Sequence, residues 1–283
     1  MIKVLKTGFY STIQDQGRLG YLDYGVPCSG AMDSYSSQFA NALLGNDGDA
    51  AVLEMTMTGA NLLFLEATTI AVTGANMRPK LNGKPIVMFK SIIVNSNDML
   101  TFGKLTNGFR TYLAVKGGVL SEMALGSRSM LKGITDNFRI QKGDYLEISN
   151  ASNVIIPKNA KLKFDNLYLD EDTFDVMKGP EFDQLTKYQQ NILFSSTFQV
   201  SKYNNRMAYQ LEPLVHNDLE SILTSPVLPG TVQLTPSGQL IVLMRDCQTT
   251  GGYPRVLQLT EKSVNTLSQK TTGNNLILRR SGF

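Results

Sequence analysis

From residue 50 to residue 150 the chain is cut into short apolar runs, at 51–55, 62–65, 70–72, 86–89, 92–94 and 112–115, with turn residues between them. Runs of this length bounded by turns read as strands. Asn82-Gly83 sits between two of them and predicts a type I′ hairpin, because both central positions of that turn need a left-handed backbone. Residues 98–102 and 144–148 continue the pattern. Many short strands at regular spacing predict a barrel or sandwich, not a doubly wound sheet. The fold class expected is mainly β with a few short helices.

Outside this region the periodicity changes. Tyr35, Phe39, Ala42 and Leu43 fall at helical spacing, with Asp33 placed to cap the start and Gly45-Asn46 to stop the helix. Its first free N–H groups, beside Ser29 and Gly30, form a possible anion seat. Gly179-Pro180 is expected to open a second helix through Leu193, and short helices are expected at 218–223 and 262–267. Strands are expected at 174–177, 197–200, 208–211, 231–234, 240–244, 256–259 and 276–278. Residues 150–172, with a Pro157-Lys158-Asn159 turn and the acidic Asp170-Glu171-Asp172, read as a connector. The chain is expected to be one domain over 1–283 with subdomains at 1–165 and 166–283.

Composition excludes several classes of function. The 283 residues carry 27 basic and 24 acidic side chains, a net charge of +3, with no basic block. Neither a nucleic-acid groove nor a polybasic membrane patch is indicated. No apolar run approaches the roughly 20 residues of a bilayer span. The start of the chain lacks the apolar core of a signal peptide, so a cytoplasmic protein is expected. Cys28 and Cys247 cannot build a disulfide framework or a tetrahedral Cys site, and read as free thiols. His216 is the one histidine, which removes multi-His metal centres, so no metal is expected.

Chemistry-bearing residues concentrate in a few polar stretches. The densest is residues 245–254, Arg-Asp-Cys-Gln-Thr-Thr-Gly-Gly-Tyr-Pro, directly after the apolar strand at 240–244. About ten positions of ligand-type chemistry at a strand end exceed what a turn requires. A second stretch, 11–21, holds Asp15 and Arg18 close enough to pair, with Gly17 and Gly20 permitting tight turns. Leu125-Gly126-Ser127-Arg128-Ser129 presents an arginine between two hydroxyls, suited to a carboxylate or phosphate.

Taken together, these stretches resemble the second subunit of the allophanate hydrolase type, the biotin-dependent carboxyltransferase family. The motifs that carry the resemblance are Gln14-Asp15-Gln16-Gly17-Arg18, the run 25–33 (Gly-Val-Pro-Cys-Ser-Gly-Ala-Met-Asp), the run 40–46 (Ala-Asn-Ala-Leu-Leu-Gly-Asn), 125–129, Asn205-Arg206-Met207 and 248–254. They follow family order from residue 7 to about 260. The resemblance implies cyclophilin-like β-barrel subdomains and a heteromeric complex. It also implies one of three activities. The first is the 5-oxoprolinase branch, in which the complex opens 5-oxo-L-proline to L-glutamate at the expense of ATP. The second is biotin-dependent carboxylation of urea or a related amide. The third is a non-enzymatic subunit that antagonises a histidine-kinase inhibitor. A chain of this size without carboxylase or biotin-carrier segments resembles the first branch most. ATP is then required at the level of the complex, and no covalently attached biotin is expected. The implied partners are a sister subunit of related cyclophilin-like fold, the kinase-inhibitor type or B-type subunit of 5-oxoprolinase, and a third component, its A-type subunit.

Both amide reactions need a base and donors for a developing oxyanion. Asp246 is expected to act as acid/base, with Asp15 as second candidate. Arg18 and Arg128 are expected to grip an anionic group. Ser29, Ser127, Asn205, Arg206 and Gln248 are expected to bind substrate, with Thr249, Thr250, Gly251 and Gly252 as close donors and Tyr253 closing the pocket. The chain departs from the family pattern at Met130, at Ala208 and at Gln210, where an arginine is usual, and these changes are expected either to alter what the pocket recognises or to degrade it.

Overall fold

The computed structural model describes residues 1–149 and 163–282, and the expected Pro157–Asn159 turn lies outside them. The chain divides into two units. The first comprises Met1–Arg18 and Ser29–Asp170, and the second comprises Leu19–Cys28 and Glu171–Phe283.

The first unit is built on two antiparallel sheets. One runs in the order Tyr10–Gln14, Val52–Thr56, Asn107–Val115, Thr68–Asn76, Ser91–Val94. The other runs Tyr145–Leu146, Ile2–Lys6, Asn61–Phe64, Met99–Thr101, Lys80–Leu81, Lys84–Pro85. Alternation along Asn107–Val115 explains the packing. Leu113 and Val115 join Ile13, Leu53, Phe64 and Leu100 in one core, while Tyr112 and Ala114 join Ala40 and Leu44 of helix α1 (Ser34–Leu44) in another. A strand covered on both faces needs apolar residues at successive positions, which is why these runs look continuous in the sequence. Helix α1 is capped by the Asp33 side chain at Ser36 N and ended by Gly45 in the left-handed region (φ 61°). Asn82 (φ 50°) and Gly83 (φ 79°) form the expected hairpin turn.

The second unit contains a closed barrel in the order Thr173–Lys178, Arg255–Leu259, Thr231–Leu234, Leu240–Leu243, Ala208–Glu212, Thr197–Asn204, Asn275–Arg280. It closes through a parallel pairing of Thr173–Lys178 with Asn275–Arg280. Phe174, Phe198, Tyr209, Leu211, Val232, Leu240, Val242 and Leu276 are buried at alternate strand positions and fill its interior. Each such side chain contributes about 1.5–3 kcal/mol of hydrophobic stabilisation. Helix α2 (Lys187–Ser195) packs on Asn275–Arg280, and helix α3 (Glu261–Ser268) packs on Thr173–Lys178 and Arg255–Leu259.

Three expected elements differ. Residues 86–89 do not form a strand: Ile86 and Met88 pack on the core, but Phe89 adopts φ 61° and stacks on Phe164 at 4.2 Å. The second helix begins later than Gly179, after the capping box of Thr186 and Gln189. Gly179 is instead a point of backbone contact, where a Cβ would lie 2.0 Å from the Arg255 carbonyl oxygen. Residues 218–223 are irregular, because Asn217 Oδ1 takes Leu219 N and the Gly252 carbonyl takes Ile222 N before a helix can use them.

Candidate functional site

The expected residues fall in both units. In the first unit, strand Tyr10–Gln14 delivers Asp15 to the loop around residues 127–130. The Asp15 carboxylate accepts from Gly17 N (2.8 Å), Ser127 Oγ (2.6 Å), Ser129 Oγ (2.6 Å) and Arg128 N (2.5 Å). Arg18, 1% exposed, donates from Nη2 to the Ser129 carbonyl (2.5 Å) and from Nε to the Ala124 carbonyl (3.4 Å). Asp15 and Arg18 therefore hold the same loop at separate points. Four donors from its own fold meet the Asp15 carboxylate, which thereby holds the loop at 127–129 in place. Arg18 is buried, and its Nε and Nη2 donate to main-chain carbonyls of that loop.

The clamped loop presents Arg128 to a cavity of about 340 Å³, together with Ser121, Glu122, Met130, Thr135 and Tyr145. Arg128 Nη1 donates to the Ser121 carbonyl. Met130 lies in the cavity wall while its backbone N–H bonds the Ile13 carbonyl, so this departure from the family pattern faces both loop and core. Ser29 is buried with φ 59°, and a Cβ on neighbouring Gly30 would lie 2.9 Å from the Gln16 carbonyl carbon, which fixes a close crossing of the two segments. The start of helix α1 is not an open anion seat. The buried Asp33 carboxylate takes Ser36 N at 3.0 Å and also accepts from the Tyr168 hydroxyl.

Asp33 belongs to a polar cluster that sequence reasoning missed. Tyr112 Oη donates to Glu54 Oε2 (2.9 Å) and accepts from Asp33 N (2.8 Å), and Arg110 Nε lies 3.8 Å from Glu54 Oε1. Burial first, then the charge of Asp33, pushes the Tyr168 phenol far above its usual range. Burial and then Glu54 do the same to Tyr112. The signal was present in Glu54 alone, an acidic residue inside the otherwise apolar run at 51–55.

In the second unit, residues 245–254 leave strand Leu240–Leu243 and are fixed piece by piece. Arg245 pairs with Glu261 and donates to Asn265 Oδ1 (3.1 Å), both on helix α3. Arg206, 6% exposed, holds Asp246 two-point, Nε to Oδ2 at 2.7 Å and Nη2 to Oδ1 at 2.9 Å, and the Arg206 carbonyl accepts from Asp246 N. Arg206 thus meets the carboxylate of its own chain where a substrate was expected. Proton transfer by Asp246 would require this fork to open. Asn205 Oδ1 accepts from Met207 N (2.7 Å) and Ala208 N (3.1 Å), shaping the turn before the next strand.

Thr250-Gly251 pairs with Ser225-Pro226, and the Thr249 carbonyl accepts from Val227 N. Residues 249–252 thus lie along residues 222–227, with the Thr249 and Gly252 carbonyls accepting from Val227 N and Ile222 N. A Cβ on Gly251 would lie 2.4 Å from Gln233 Nε2, the mobile end of a glutamine that would have to turn aside. Cys28 and Cys247 are free thiols. Burial, then the charge of Asp246, pushes the Cys247 thiol up to about 12.

A cavity of about 470 Å³ lies on the outer side of the barrel strands. Tyr209, Leu211, Leu240 and Val242 point inward, so the alternate residues Ala208, Gln210, Ile241 and Leu243 form its floor, in register as Ala208 opposite Leu243 and Gln210 opposite Ile241. Gln233 extends the floor, and Gln248, Tyr253, Asn205 and Tyr203 form walls. Gln248, Tyr253 and Asn205 were expected from the sequence, and Gln210 was noted there as a departure within the pocket, but Gln233 and Tyr203 were not assigned to a site. Their polarity reads as an ordinary solvent-facing strand side until the register places them together. Among the described residues no group of three or more His, Cys, Asp or Glu side chains is arranged to hold a metal. No helix among them is long and apolar enough to cross a membrane.

The two-sheet unit and the closed barrel each carry a polar cavity beside a clamped loop. Residues 24–280 match the carboxyltransferase domain, subdomain A and B, and the chain belongs to that family. It is similar to the C-type subunit of 5-oxoprolinase from Escherichia coli (strain K12), 32% identical over 279 residues that make up 96% of this chain and 89% of that protein. It is also similar to the C-type subunit of 5-oxoprolinase from Haemophilus influenzae, 28% identical over 98% of this chain and 90% of that protein. In the solved Kluyveromyces lactis urea amidolyase, 98% of this chain superposes with a TM-score of 0.86 at 27% identity. It spans 18% of that urea amidolyase and 55% of another solved chain that it matches.

Proposed function

We propose that this chain is the C-type subunit of a 5-oxoprolinase complex, which opens 5-oxo-L-proline to L-glutamate with consumption of ATP. What carries this reading is the full-length likeness to the C-type subunit of 5-oxoprolinase, covering 96% of this chain and 89% of the Escherichia coli protein. The likeness to urea amidolyase covers 18% of a much larger chain. The B-type and A-type subunits are the proposed partners, and ATP is a cofactor of the assembled complex. Ring opening places negative charge on a carbonyl oxygen, and fixed donors aimed at that oxygen lower the barrier. In this proposal Arg128, held at the edge of the first unit's cavity, meets an anionic group. Asp15 and Asp246 act as positioning groups that hold the two clamped loops.

The experiment is reconstitution of the chain with the B-type and A-type subunits, measuring glutamate release that depends on both ATP and 5-oxoproline. Release that needs all three components supports the reading. Biotin-dependent carboxylation of urea by the chain with a biotin carboxylase, in place of glutamate release, would replace it with the carboxyltransferase activity.

A further inference from the structure

The chain contains two Asn-Gly pairs, Asn82-Gly83 and Asn107-Gly108, and the fold treats their carboxamides in opposite ways. A glycine leaves the nitrogen that follows an asparagine unshielded by a Cβ, and it accepts the positive φ that both adopt here, 79° at Gly83 and 73° at Gly108. At Asn82 both ends of the carboxamide are held across the sheet. Nδ2 donates to Asp98 Oδ1 at 2.7 Å, and Oδ1 accepts from Met99 N at 2.8 Å. The group is thereby tied to residues 98–99, and Gly83 N is not among its partners.

At Asn107 the arrangement is reversed. The register with Thr68–Asn76 slips between Asn107 and Thr111, and pairing with Val52–Thr56 begins only at Arg110. Gly108 therefore lies in a bulge, and its N–H donates to Asn107 Oδ1, on the side chain just before it, at 2.7 Å. That contact keeps the Gly108 nitrogen against the carboxamide whose carbon it would attack, a pre-formed approach of nucleophile to electrophile. Asn107 Nδ2, the group that would leave, makes no hydrogen bond among the described residues. Asn107 and Gly108 are both half-buried, so water reaches them.

We propose that Asn107-Gly108 is a modification site of the folded chain, where the carboxamide is lost as ammonia without an enzyme, and that the hold of Asp98 and Met99 spares Asn82-Gly83. In the first step Gly108 N gives its proton to water and bonds to Asn107 Cγ. The Cγ–Nδ2 bond breaks, and Nδ2 takes up a proton and leaves as ammonia. One water then opens the cyclic succinimide at either of its carbonyls, leaving aspartate or isoaspartate in place of Asn107. The sum is one water consumed and one ammonia released. The new carboxylate lowers the net charge of +3 by one. It falls in the bulge, ahead of the paired run Thr111–Val115, so the ladder beyond it keeps its register.

The test incubates the full 283-residue chain in neutral buffer, folded and in parallel unfolded in guanidinium chloride, and follows both pairs by peptide mapping and mass spectrometry. An isoaspartyl carboxyl methyltransferase with a labelled methyl donor counts the isoaspartate formed. In the folded chain Asn107 is expected to convert at least about tenfold faster than Asn82, a difference of about 1.4 kcal/mol in barrier. In the unfolded chain, where each pair meets only its sequence neighbours, the two rates are expected to converge. Asp98→Ala removes the acceptor of Asn82 Nδ2 and is expected to raise conversion at Asn82 in the folded chain while leaving that at Asn107 unchanged. Asn107→Gln, whose longer side chain closes its ring poorly, is expected to remove the acidic species that ion exchange resolves. Conversion at Asn82 as fast as at Asn107 in the folded chain overturns the proposal. So does a folded chain in which Asn107 stays intact while the unfolded chain reacts, or a preference for Asn107 that persists unchanged in the denaturant.

Discussion

Arg206 and Asp246 face each other as a two-point pair, 2.7 Å and 2.9 Å, with side chains 7% and 13% exposed. Removing one member of a pair this deep leaves the other charge without compensation, which costs about 3 kcal/mol. Asp246→Asn is therefore expected to lower unfolding stability by about that amount in denaturant titrations. The double variant Arg206→Met, Asp246→Leu should recover most of the loss. A single variant that loses turnover at full stability would instead restore Asp246 as an acid/base group.

Asp15 invites the same separation of roles. Its four donors come from residues 17 and 127–129, so Asp15→Asn turns part of an acceptor into a donor aimed at donors. A loss of about 2 kcal/mol is expected, with turnover of the complex falling alongside. Thermal melts and assays on the same preparation check it, since a base would lose turnover without loss of stability.

Glu181 sets an acid-limb prediction for the barrel unit. The hydrogen bonds of Arg255, followed by its charge and backbone N–H against an opposing burial effect, hold the Glu181 carboxyl below its usual range. A folded-state pKa below the unfolded value of about 4.3 means that the stabilisation is fully present above that value. It is lost as pH falls through the lower folded pKa. Glu181→Gln should therefore flatten the stability profile below about pH 4.3, as followed by chemical denaturation from pH 3 to 7.

Cys247 is expected to be inert in the native protein. Its thiol is buried and pushed up to about 12, so almost none is thiolate at neutral pH. An Ellman-type reagent should label it only at the rate of unfolding, and half-buried Cys28 should account for any fast labelling. Fast modification at Cys247, located by peptide mapping, would contradict this.

Local signals in the sequence carried much of the fold. Asp33 and Gly45 bracket helix α1, and Asn82-Gly83 turns where expected, because capping and turn chemistry involve only neighbouring residues. Phe89 shows where such reasoning stops: its apolar run suggests a strand, while its left-handed backbone and ring stacking depend on Phe164, 75 positions away. The site was legible only as composition. A buried arginine that serves carbonyls, such as Arg18, and a ligand-facing arginine look identical in a glycine-rich stretch. Gln210, Gln233 and Gln248 come together only through strand register, which the sequence pattern of each strand does not encode.

The second unit borrows Leu19–Cys28 from within the residues of the first. The polypeptide thus leaves the first unit after Arg18, returns to it at Ser29 and leaves again after Asp170. No single cut yields two whole pieces. A fragment beginning near residue 166 would lack ten residues of the barrel unit, and its amino-terminal counterpart would carry them as an orphan insertion. Gene fragments encoding either half are therefore poor modules for recombination, and the two units are expected to be inherited, expressed and lost together.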